Sequence, residues 1–373
     1  MGLAASCSDD SDYQPIAETT INITSAQTSL GPSASEGFVT VDCTPSAAYT
    51  DAPSWLTATI EGNSVRLAST ANGTRESRNA KLVIKKSPSD STIVSVSQMG
   101  LVLKVDKAAL YINDDKAKSF TKSYESNTDI ELLKTPEWAK VTIDKASKEI
   151  HVDVEENTTG HMRSSYIKFQ AAAATDSFLV KQFDYDKDIA GNYLFGYYDF
   201  NEDNELELQY AEVTLDREKM DVPEWGFTFP VILNDTTGTV SLRSNLYLGT
   251  FGDYYAYTIY IAEDGNAYFN NNTGLLSSNF VYDDEMGTVG TFSGYAYNID
   301  GQKSGCLGML IGLFKANVPT PVNFVGNLNY ILSPILLKYN PDEEEDPEDA
   351  MRRYAPVQAM RAKAKSLRLS KCS

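Results

Sequence analysis

Hydrophobic and polar residues alternate in short runs along most of the chain, and turn-forming residues separate the runs. A period of two sends successive side chains to opposite faces of a strand, so each run predicts a half-buried β-strand. Clear examples lie at residues 80–84, 94–98, 166–169 and 178–182. The pattern therefore predicts an all-β protein with many short strands.

The first half of the chain contains an internal repeat. Four landmarks recur at an offset of 83 to 85 residues: Trp55 and Trp138, Asn72 and Asn157, Arg78 and Arg163, and Gln98 and Gln182. The strand pattern of each copy is that of a small β-sandwich. In such a sandwich the asparagine suits a tight turn, and the tryptophan either fills the core or stacks on a ligand. Trp55 is therefore a candidate ligand-binding residue.

The motif of the repeat is Pro-x-Trp, then Asn-x-Thr followed by an arginine, and a last strand that closes on glutamine. With these residues, 17–184 resemble a tandem pair of BACON domains, the Bacteroidetes-associated carbohydrate-binding module that is often N-terminal. The first copy fits well, whereas the second departs at Ala139 and at residues 178–181. The resemblance implies two immunoglobulin-like β-sandwiches that bind carbohydrate or serve as spacers.

From about residue 187 the composition shifts to Tyr, Phe, Asn and Gly, and a second series of strands follows. Short polar turns between strands favour an antiparallel β-barrel or sandwich of about 150 residues. Its start, Ala190-Gly191-x-Tyr193, resembles the lipocalin-like domains of other Bacteroidetes lipoproteins.

The end of the chain is an acidic linker followed by a basic stretch. There Val357, Met360, Ala364 and Leu367 share one face at helical spacing, which predicts a short helical tail. A solvated tail and a segment that docks on an acidic surface or a membrane both fit this pattern.

The net charge of −19, from 51 acidic and 32 basic residues, opposes binding to nucleic acid and to anionic membranes. The charge is compatible with a neutral partner such as a glycan. The four cysteines lie far apart, without the spacing of a zinc site or a disulfide framework. The longest apolar run, residues 306–314, is about half the length of a membrane helix.

The segment before Cys7 has two interpretations. Met1 to Ser6 fits the loose pattern of N-myristoylation. Alternatively, small residues precede Cys7 as in a bacterial lipoprotein signal, and the acidic run 8–12 resembles that of surface-exported lipoproteins. A signal needs a longer basic and apolar region, which indicates a trimmed start. The BACON resemblance favours the lipoprotein, with Cys7 lipidated in the outer membrane and the chain exposed at the cell surface.

The predicted fold is all-β: two tandem immunoglobulin-like β-sandwiches, an antiparallel β-barrel or sandwich, and a short helical tail. The predicted segments are a lipobox remnant and linker (1–16), two BACON-like sandwiches (17–103 and 104–185), a C-terminal β-domain (186–340), and the acidic linker with its basic tail (341–373).

Candidate chemistry is sparse. The two histidines, His151 and His161, lie in the second repeat, and a triad, a phosphate loop or His-Glu-x-x-His does not occur. We therefore expect neither an enzyme nor a cofactor. Asp199, Asn201 and Asp203 alternate as in the first half of a calcium loop, but the glycine at the sixth position is missing. A hairpin turn explains these three residues equally well.

Tyrosine is the more informative residue type. In the run 254–262, Tyr255, Tyr257, Ile259 and Ile261 occupy one strand face, and Tyr254, Thr258 and Tyr260 the other. One face belongs to the core, and the other exposes rings that suit the C–H face of a sugar. We predict glycan contacts at Tyr254, Tyr260, Tyr268 and Tyr297. The alternative is that cross-strand tyrosines only stabilise the sheet.

The sequence thus predicts a surface lipoprotein that binds glycan, in polysaccharide capture or mucin attachment, with the BACON pair as its stalk. The alternative is a structural or protein-interaction lipoprotein without a glycan ligand.

Overall fold

A computed structural model describes residues 19–268, 274–297, 300–341 and 351. These residues form β-strands with two short helical turns, Tyr185–Ile189 and Pro223–Trp225, which confirms the all-β class. Among them, no helix has the length and apolar character needed to cross a membrane. The predicted helical tail, with Val357, Met360, Ala364 and Leu367 on one face, lies outside the described residues.

The first repeat folds as two four-stranded sheets packed on one core. Its strands are β1 (Ile23–Gln27), β2 (Ser29–Leu30), β3 (Ser35–Val41), β4 (Ala47–Thr50), β5 (Leu56–Glu61), β6 (Ser64–Ser69), β7 (Arg78–Ser87) and β8 (Asp90–Gln98). The sheet orders are β1-β3-β6-β5 and β2-β8-β7-β4. Alternate residues of both sheets, such as Leu67 and Leu82, are fully buried between them. This is the predicted β-sandwich.

The second repeat also has two four-stranded sheets. Its strands are β9 (Leu103–Val105), β10 (Leu110–Ile112), β11 (Lys118–Ser126), β12 (Glu131–Lys134), β13 (Ala139–Asp144), β14 (Glu149–Val154), β15 (Arg163–Ala171) and β16 (Ala174–Gln182). The sheet orders are β13-β14-β11-β9 and β10-β16-β15-β12. Phe169 and Phe178, from paired strands, are buried with ring centroids 5.6 Å apart.

The C-terminal part is one large antiparallel sheet. Its strands are β17 (Gly191–Phe200), β18 (Leu206–Leu215), β19 (Lys219–Val222), β20 (Phe227–Pro230), β21 (Ile232–Asn234), β22 (Thr239–Arg243), β23 (Tyr247–Phe251), β24 (Tyr254–Ala262), β25 (Leu275–Asp283), β26 (Gly287–Tyr297), β27 (Lys303–Phe314) and β28 (Phe324–Lys338). The pairing runs β20-β19-β18-β17-β28-β27-β26-β25-β22-β21, and β24 joins β23 to β27. In the described residues the two end strands do not pair, so the sheet is open rather than a closed barrel.

This sheet curls over a single core. Phe229 of β20 and Val240 of β22, near opposite ends of the strand order, belong to the same buried cluster as Tyr193 and Phe195 of the central strand β17. Side chains on one face of the sheet therefore pack against one another, while the other face carries separate apolar clusters.

The chain divides into two compact units. One comprises residues up to 107 together with 120–152 and 166–178, and the other comprises 108–119, 153–165 and the described residues from 179 onward. The second repeat contributes residues to both units.

The repeat landmarks form the same hydrogen-bonded group twice. In the first copy, Arg78 Nε donates to Gln98 Oε1 at 2.8 Å, and Asn72 Nδ2 donates to the carbonyls of Glu76 and Met99. In the second, Arg163 donates to Gln182, and Asn157 Nδ2 to the carbonyl of His161. Because buried amides must be hydrogen-bonded, these residues are structural. They tie the turn after one strand to the last strand of each sandwich.

Within the second unit, the end of the second repeat is built into the core of the C-terminal sheet. Met162 and Phe183 belong to that core. Gly238, at a φ of +68°, lies against Phe183, where a Cβ would be 2.7 Å from the ring. The His161 ring stacks on Tyr282 at a centroid distance of 3.5 Å.

Lys181 also lies where the second repeat packs on the C-terminal sheet, and it is unusual because it is a lysine only 3 % exposed. Its Nζ donates to the Phe280 carbonyl of β25 at 2.8 Å and lies 5.3 Å from the centroid of the Phe183 ring. Burial lowers the pKa of Lys181 from 10.5 to about 8, and the charge of Asp188 opposes this only in part. A buried ammonium without a close carboxylate costs folding free energy.

Lys181→Met should change how stability depends on pH. Between pH 8 and 10.5 the unfolded state binds more protons at this residue than the folded state, so the stability of the wild type rises with pH. Below about pH 8 the free-energy cost of burying the charged lysine is fully present. Urea denaturation at pH 7, 8, 9 and 10 gives the free energy of unfolding of both proteins. The difference in this free energy between Lys181→Met and the wild type should change across the window by up to roughly 3 kcal/mol.

The control is Lys81→Met, since Lys81 is exposed on β7. Its midpoint should run parallel to that of the wild type. A parallel profile for Lys181→Met as well would contradict a penalty from the buried charge.

Candidate functional site

Strand β24 separates the core from a second apolar face. Ala256, Tyr260 and Ala262 point into the core of the curled sheet, and Tyr254 packs against it. Tyr257, Ile259 and Ile261 point the other way into a separate cluster, and half-buried Tyr255 packs beside them. The two faces are those that the alternation predicts. Both faces are buried from Ala256 to Ala262, so the prediction that one face of β24 exposes its rings is wrong for most of the strand, and only Tyr254 and Tyr255 are partly exposed.

Three tyrosines of the outer face, Tyr247, Tyr255 and Tyr257, form what we call the aromatic ledge. Tyr247 of β23 is opposite Tyr257 of β24 in register. Its ring centroid is 5.3 Å from that of Tyr257 and 6.2 Å from that of Tyr255. Tyr247 is 47 % exposed, whereas Tyr257 is nearly buried. The ledge therefore offers exposed ring surface at Tyr247 and Tyr255, supported by Tyr257.

Phenylalanines of the next two strands support the ledge. Tyr255 is paired with Phe314 of β27, and Phe314 with Phe324 of β28. The Phe314 ring lies edge-on to Tyr257 at 5.8 Å and 5.5 Å from Phe324. Because Phe314 is fully buried, the ledge rests on a packed layer and its rings are held in place.

The loop between β27 and β28, residues 315–323, is attached to the ledge. The Tyr257 hydroxyl donates to the Asn317 carbonyl at 2.7 Å. Asn323 organises the loop: its Nδ2 donates to the Val318 carbonyl at 2.7 Å, and its Oδ1 accepts from the Thr320 amide. The loop therefore has a defined conformation next to the ledge.

The surroundings of the ledge carry little charge. Residues 247–257 contain one acidic residue, Asp253, and residues 314–325 contain one basic residue, Lys315, in a chain of net charge −19. Burial, followed by the neighbouring Tyr247 and Tyr255, raises the pKa of Tyr257, so its phenol stays protonated and able to donate. The two segments together carry one negative and one positive charge, and they are rich in aromatic, amide and hydroxyl side chains.

Two of the predicted tyrosines lie on the core side of β24. Tyr260 is 2 % exposed and belongs to the main core, so its ring cannot stack on a ligand in solution. Tyr254 packs against the same core from the end of the strand. The glycan contact predicted at Tyr260 is therefore wrong, whereas contact at half-buried Tyr254 stays a prediction.

The other two predicted residues, Tyr268 and Tyr297, do not pair with the strand residues of the ledge. The Tyr268 hydroxyl donates to the Asp264 carboxylate, and its ring packs against the main core. Tyr297 ends β26, where its ring meets Tyr295 edge-on at 5.6 Å. Glycan contact at these two residues stays a prediction.

Trp55 packs against the core of the first sandwich. The Arg78 guanidinium covers its ring, with Cζ 4.5 Å from the ring centroid. A ring between a core and an arginine leaves little surface for a sugar, which favours the packing role for Trp55.

The calcium candidate is a hairpin turn between β17 and β18. Asp199 Oδ1 accepts from the amides of Phe200 and Tyr330, and Asn201 Oδ1 accepts from the amide of Glu205 at 2.8 Å. Burial raises the pKa of Asp199, which disfavours its carboxylate form. Asp203 lies in the turn itself. The structure therefore shows the hairpin alternative, in which Asp199 Oδ1 and Asn201 Oδ1 accept hydrogen bonds from backbone amides.

Two predictions fall outside what the structure describes. Cys7 precedes the first described residue. Of the predicted linker and tail (341–373) only Pro341 and Met351 are described, and Met351 is buried beside Leu194, Val289 and Leu337 of the C-terminal sheet.

Sequence reasoning missed Tyr247, because β23 is a short strand interrupted by a bulge with Gly249 at a φ of +128°. For β24, the sequence did contain a signal that indicates which face packs into the core. The face with Ala256, Thr258 and Ala262 carries small residues beside Tyr260, and small residues suit the crowded inside of a curled sheet.

Residues 123–183 match the family model BACON, described as "Putative binding domain, N-terminal". The match lies in the second repeat, although the motif of the first repeat is the more regular one. No curated protein matches the chain.

Several solved structures share a limited likeness. A three-Ig fragment of titin is 8 % identical, with 78 % of this chain and 97 % of that chain covered at a TM-score of 0.26. Titin Ig tandem domains are 7 % identical (44 % and 96 % covered, TM-score 0.20). An endo-fucoidan hydrolase of glycoside hydrolase family 107 is 9 % identical (44 % and 28 % covered, TM-score 0.22). TM-scores this low support no argument about function.

Tyr260→Ala and Tyr247→Ala should differ strongly in stability. Removing the buried ring leaves a cavity in the main core and should cost about 3–5 kcal/mol of unfolding free energy. Removing the exposed ring of Tyr247 should cost about 1 kcal/mol or less. Chemical denaturation of both variants checks this, and comparable losses would show that the ledge is a packing element.

Proposed function

We propose that this chain is a cell-surface glycan-binding protein whose binding site is the aromatic ledge. One observation carries the proposal: Tyr247 and Tyr255 are held side by side with open ring surface in a neutral setting. A rigid, partly exposed aromatic pair with few charges suits an uncharged ligand that has both apolar and hydroxyl faces.

The chemistry of a sugar fits this surface. The C–H face of a pyranose stacks on a tyrosine ring, and its hydroxyls bond to phenols, amides and backbone carbonyls. Because Asp253 and Lys315 are the charged residues of the two segments, an uncharged glycan suits the ledge better than a polyanion.

The size of the ledge also favours a small ligand. A standard protein interface buries roughly 800 Å² on each partner. The exposed Tyr247 ring, the half-buried Tyr255 ring and their neighbours offer on the order of a few hundred Å². This area suits two or three sugar residues, whereas a stable protein complex would need more surface.

In this proposal the two repeats are a tandem BACON pair that acts mainly as a spacer. Their signature residues are engaged in internal hydrogen bonds, and Trp55 lies under Arg78. The BACON match at residues 123–183 supports a role in carbohydrate-binding proteins. The function requires no catalytic step, so we propose a binding protein and not an enzyme.

The proposal includes a lipid anchor at Cys7 that holds the protein in the outer membrane, facing outward. It rests on the small residues before Cys7, the acidic run after it, and the BACON resemblance. Several acyl chains, at about 0.8 kcal/mol per buried CH₂, make such an anchor stable.

Glycan binding is tested by arraying the full chain on neutral and mucin oligosaccharides, with heparin as the polyanion. The wild type should bind neutral glycans, and Tyr247→Ala or Tyr255→Ala should weaken binding roughly 3- to 10-fold through loss of one stacked ring. The melting temperature should fall little.

The matched control is Tyr166→Ala, because Tyr166 is an exposed tyrosine on the second repeat. It and Trp55→Ala, provided the latter is folded, should bind like the wild type. Binding that survives the ledge variants but is lost in Trp55→Ala would place the site on the repeats. Failure to bind any glycan would favour the structural or protein-interaction alternative.

The anchor is tested with Cys7→Ala in the full precursor. Labelling with a clickable fatty acid should be abolished, and the protein should leave the membrane fraction. Undiminished labelling of this variant would contradict the lipoprotein assignment, and labelling that depends on Gly2 would indicate myristoylation instead.

A further inference from the structure

The loop 315–323 presents two valines to solvent. Val318 is 61 % exposed and Val322 is 96 % exposed, and each is next to a proline, Pro319 or Pro321. The prolines restrict φ, and the Asn323 side chain bonds to the Val318 carbonyl and the Thr320 amide. Single exposed apolar residues are common, but these two lie on one loop whose conformation is fixed by hydrogen bonds.

This loop borders the aromatic ledge through a chain of contacts. Tyr247 packs on Tyr257, the Tyr257 hydroxyl holds the Asn317 carbonyl, and Val318 follows Asn317 directly. At the other end of the loop, Asn323 is followed by Phe324, whose ring packs on Phe314 beneath the ledge. The loop 315–323 is therefore attached to the ledge and its supporting layer near both of its ends.

We propose that the site selects sugars that carry a methyl group, namely N-acetylated or 6-deoxy sugars, with Val318 and Val322 contacting the methyl. The inference rests on the proposed glycan-binding function and names the ligand class of that site. Stacking on tyrosine accepts any pyranose with a flat C–H face, so it does not discriminate between sugars. The valines add an apolar contact that an unsubstituted hexose cannot use.

The size of the effect follows from methyl burial. One buried methyl group contributes about 0.8 kcal/mol, which corresponds to roughly fourfold in affinity. The neutral surroundings match this class, since N-acetyl and 6-deoxy sugars are uncharged.

The experiment compares matched oligosaccharides by titration calorimetry or a quantitative array. Chitotriose and cellotriose differ by the N-acetyl groups, and L-fucose and L-galactose conjugates differ by the 6-hydroxyl. The wild type should bind the methyl-bearing member of each pair roughly 3- to 10-fold more tightly. The double variant Val318→Ala/Val322→Ala should bring this ratio close to one.

Two further variants distinguish an effect on the position of the loop 315–323 from an effect on folding. Tyr257→Phe keeps the ring but removes the hydroxyl that holds Asn317, so the ratio should fall while the fold is retained. Val281→Ala, an exposed valine on β25, should leave the ratio unchanged. Circular dichroism melts verify that each variant is folded.

The outcomes distinguish the two proposals. Equal affinities for both members of each pair, or a preference that survives in the double variant, would overturn the selectivity and leave glycan binding intact. Absence of binding to every oligosaccharide would overturn both.

Discussion

The curl of the C-terminal sheet is the constraint on which the rest of this structure depends. Strands from both ends of the sheet send side chains into one core, so the inside of the curl is crowded and largely apolar. Every residue on the outer face is then excluded from that core. Tyr260 becomes a fully buried packing residue, whereas Tyr255 is half-buried on the other face of the same strand.

The same core incorporates the end of the second repeat. Met162 and Phe183 are members of it, and buried Lys181 bonds to the backbone of β25. A charged group in this position is costly, and it keeps its hydrogen bond only while the strands of the repeat and of the sheet remain together. Within this unit, residues 153–165 and 179–183 of the second repeat and the C-terminal sheet are therefore parts of one packed body.

The signature residues of the repeats have a structural explanation. In each copy the asparagine donates to a backbone carbonyl and the arginine donates to the glutamine. These hydrogen bonds hold the turn before the last two strands against the end of the last strand. A motif that is needed for folding identifies a family well. It says less about a ligand, because the residues that carry the resemblance are already occupied.

The alternation of residues determined the strands, the repeat and the two faces of β24, because periodicity is a local property of the chain. It also showed that residues 199–205 fit a hairpin as well as a calcium loop. It did not determine which face of β24 was inside, because that depends on how distant strands such as β20 and β22 curl together. Tyr247 joins Tyr257 through cross-strand pairing around a bulge, and Asn317 joins the same group across 60 residues. Only tertiary structure brings such residues together, so the candidate site could be recognised as tyrosine-rich from the sequence but located only in the fold.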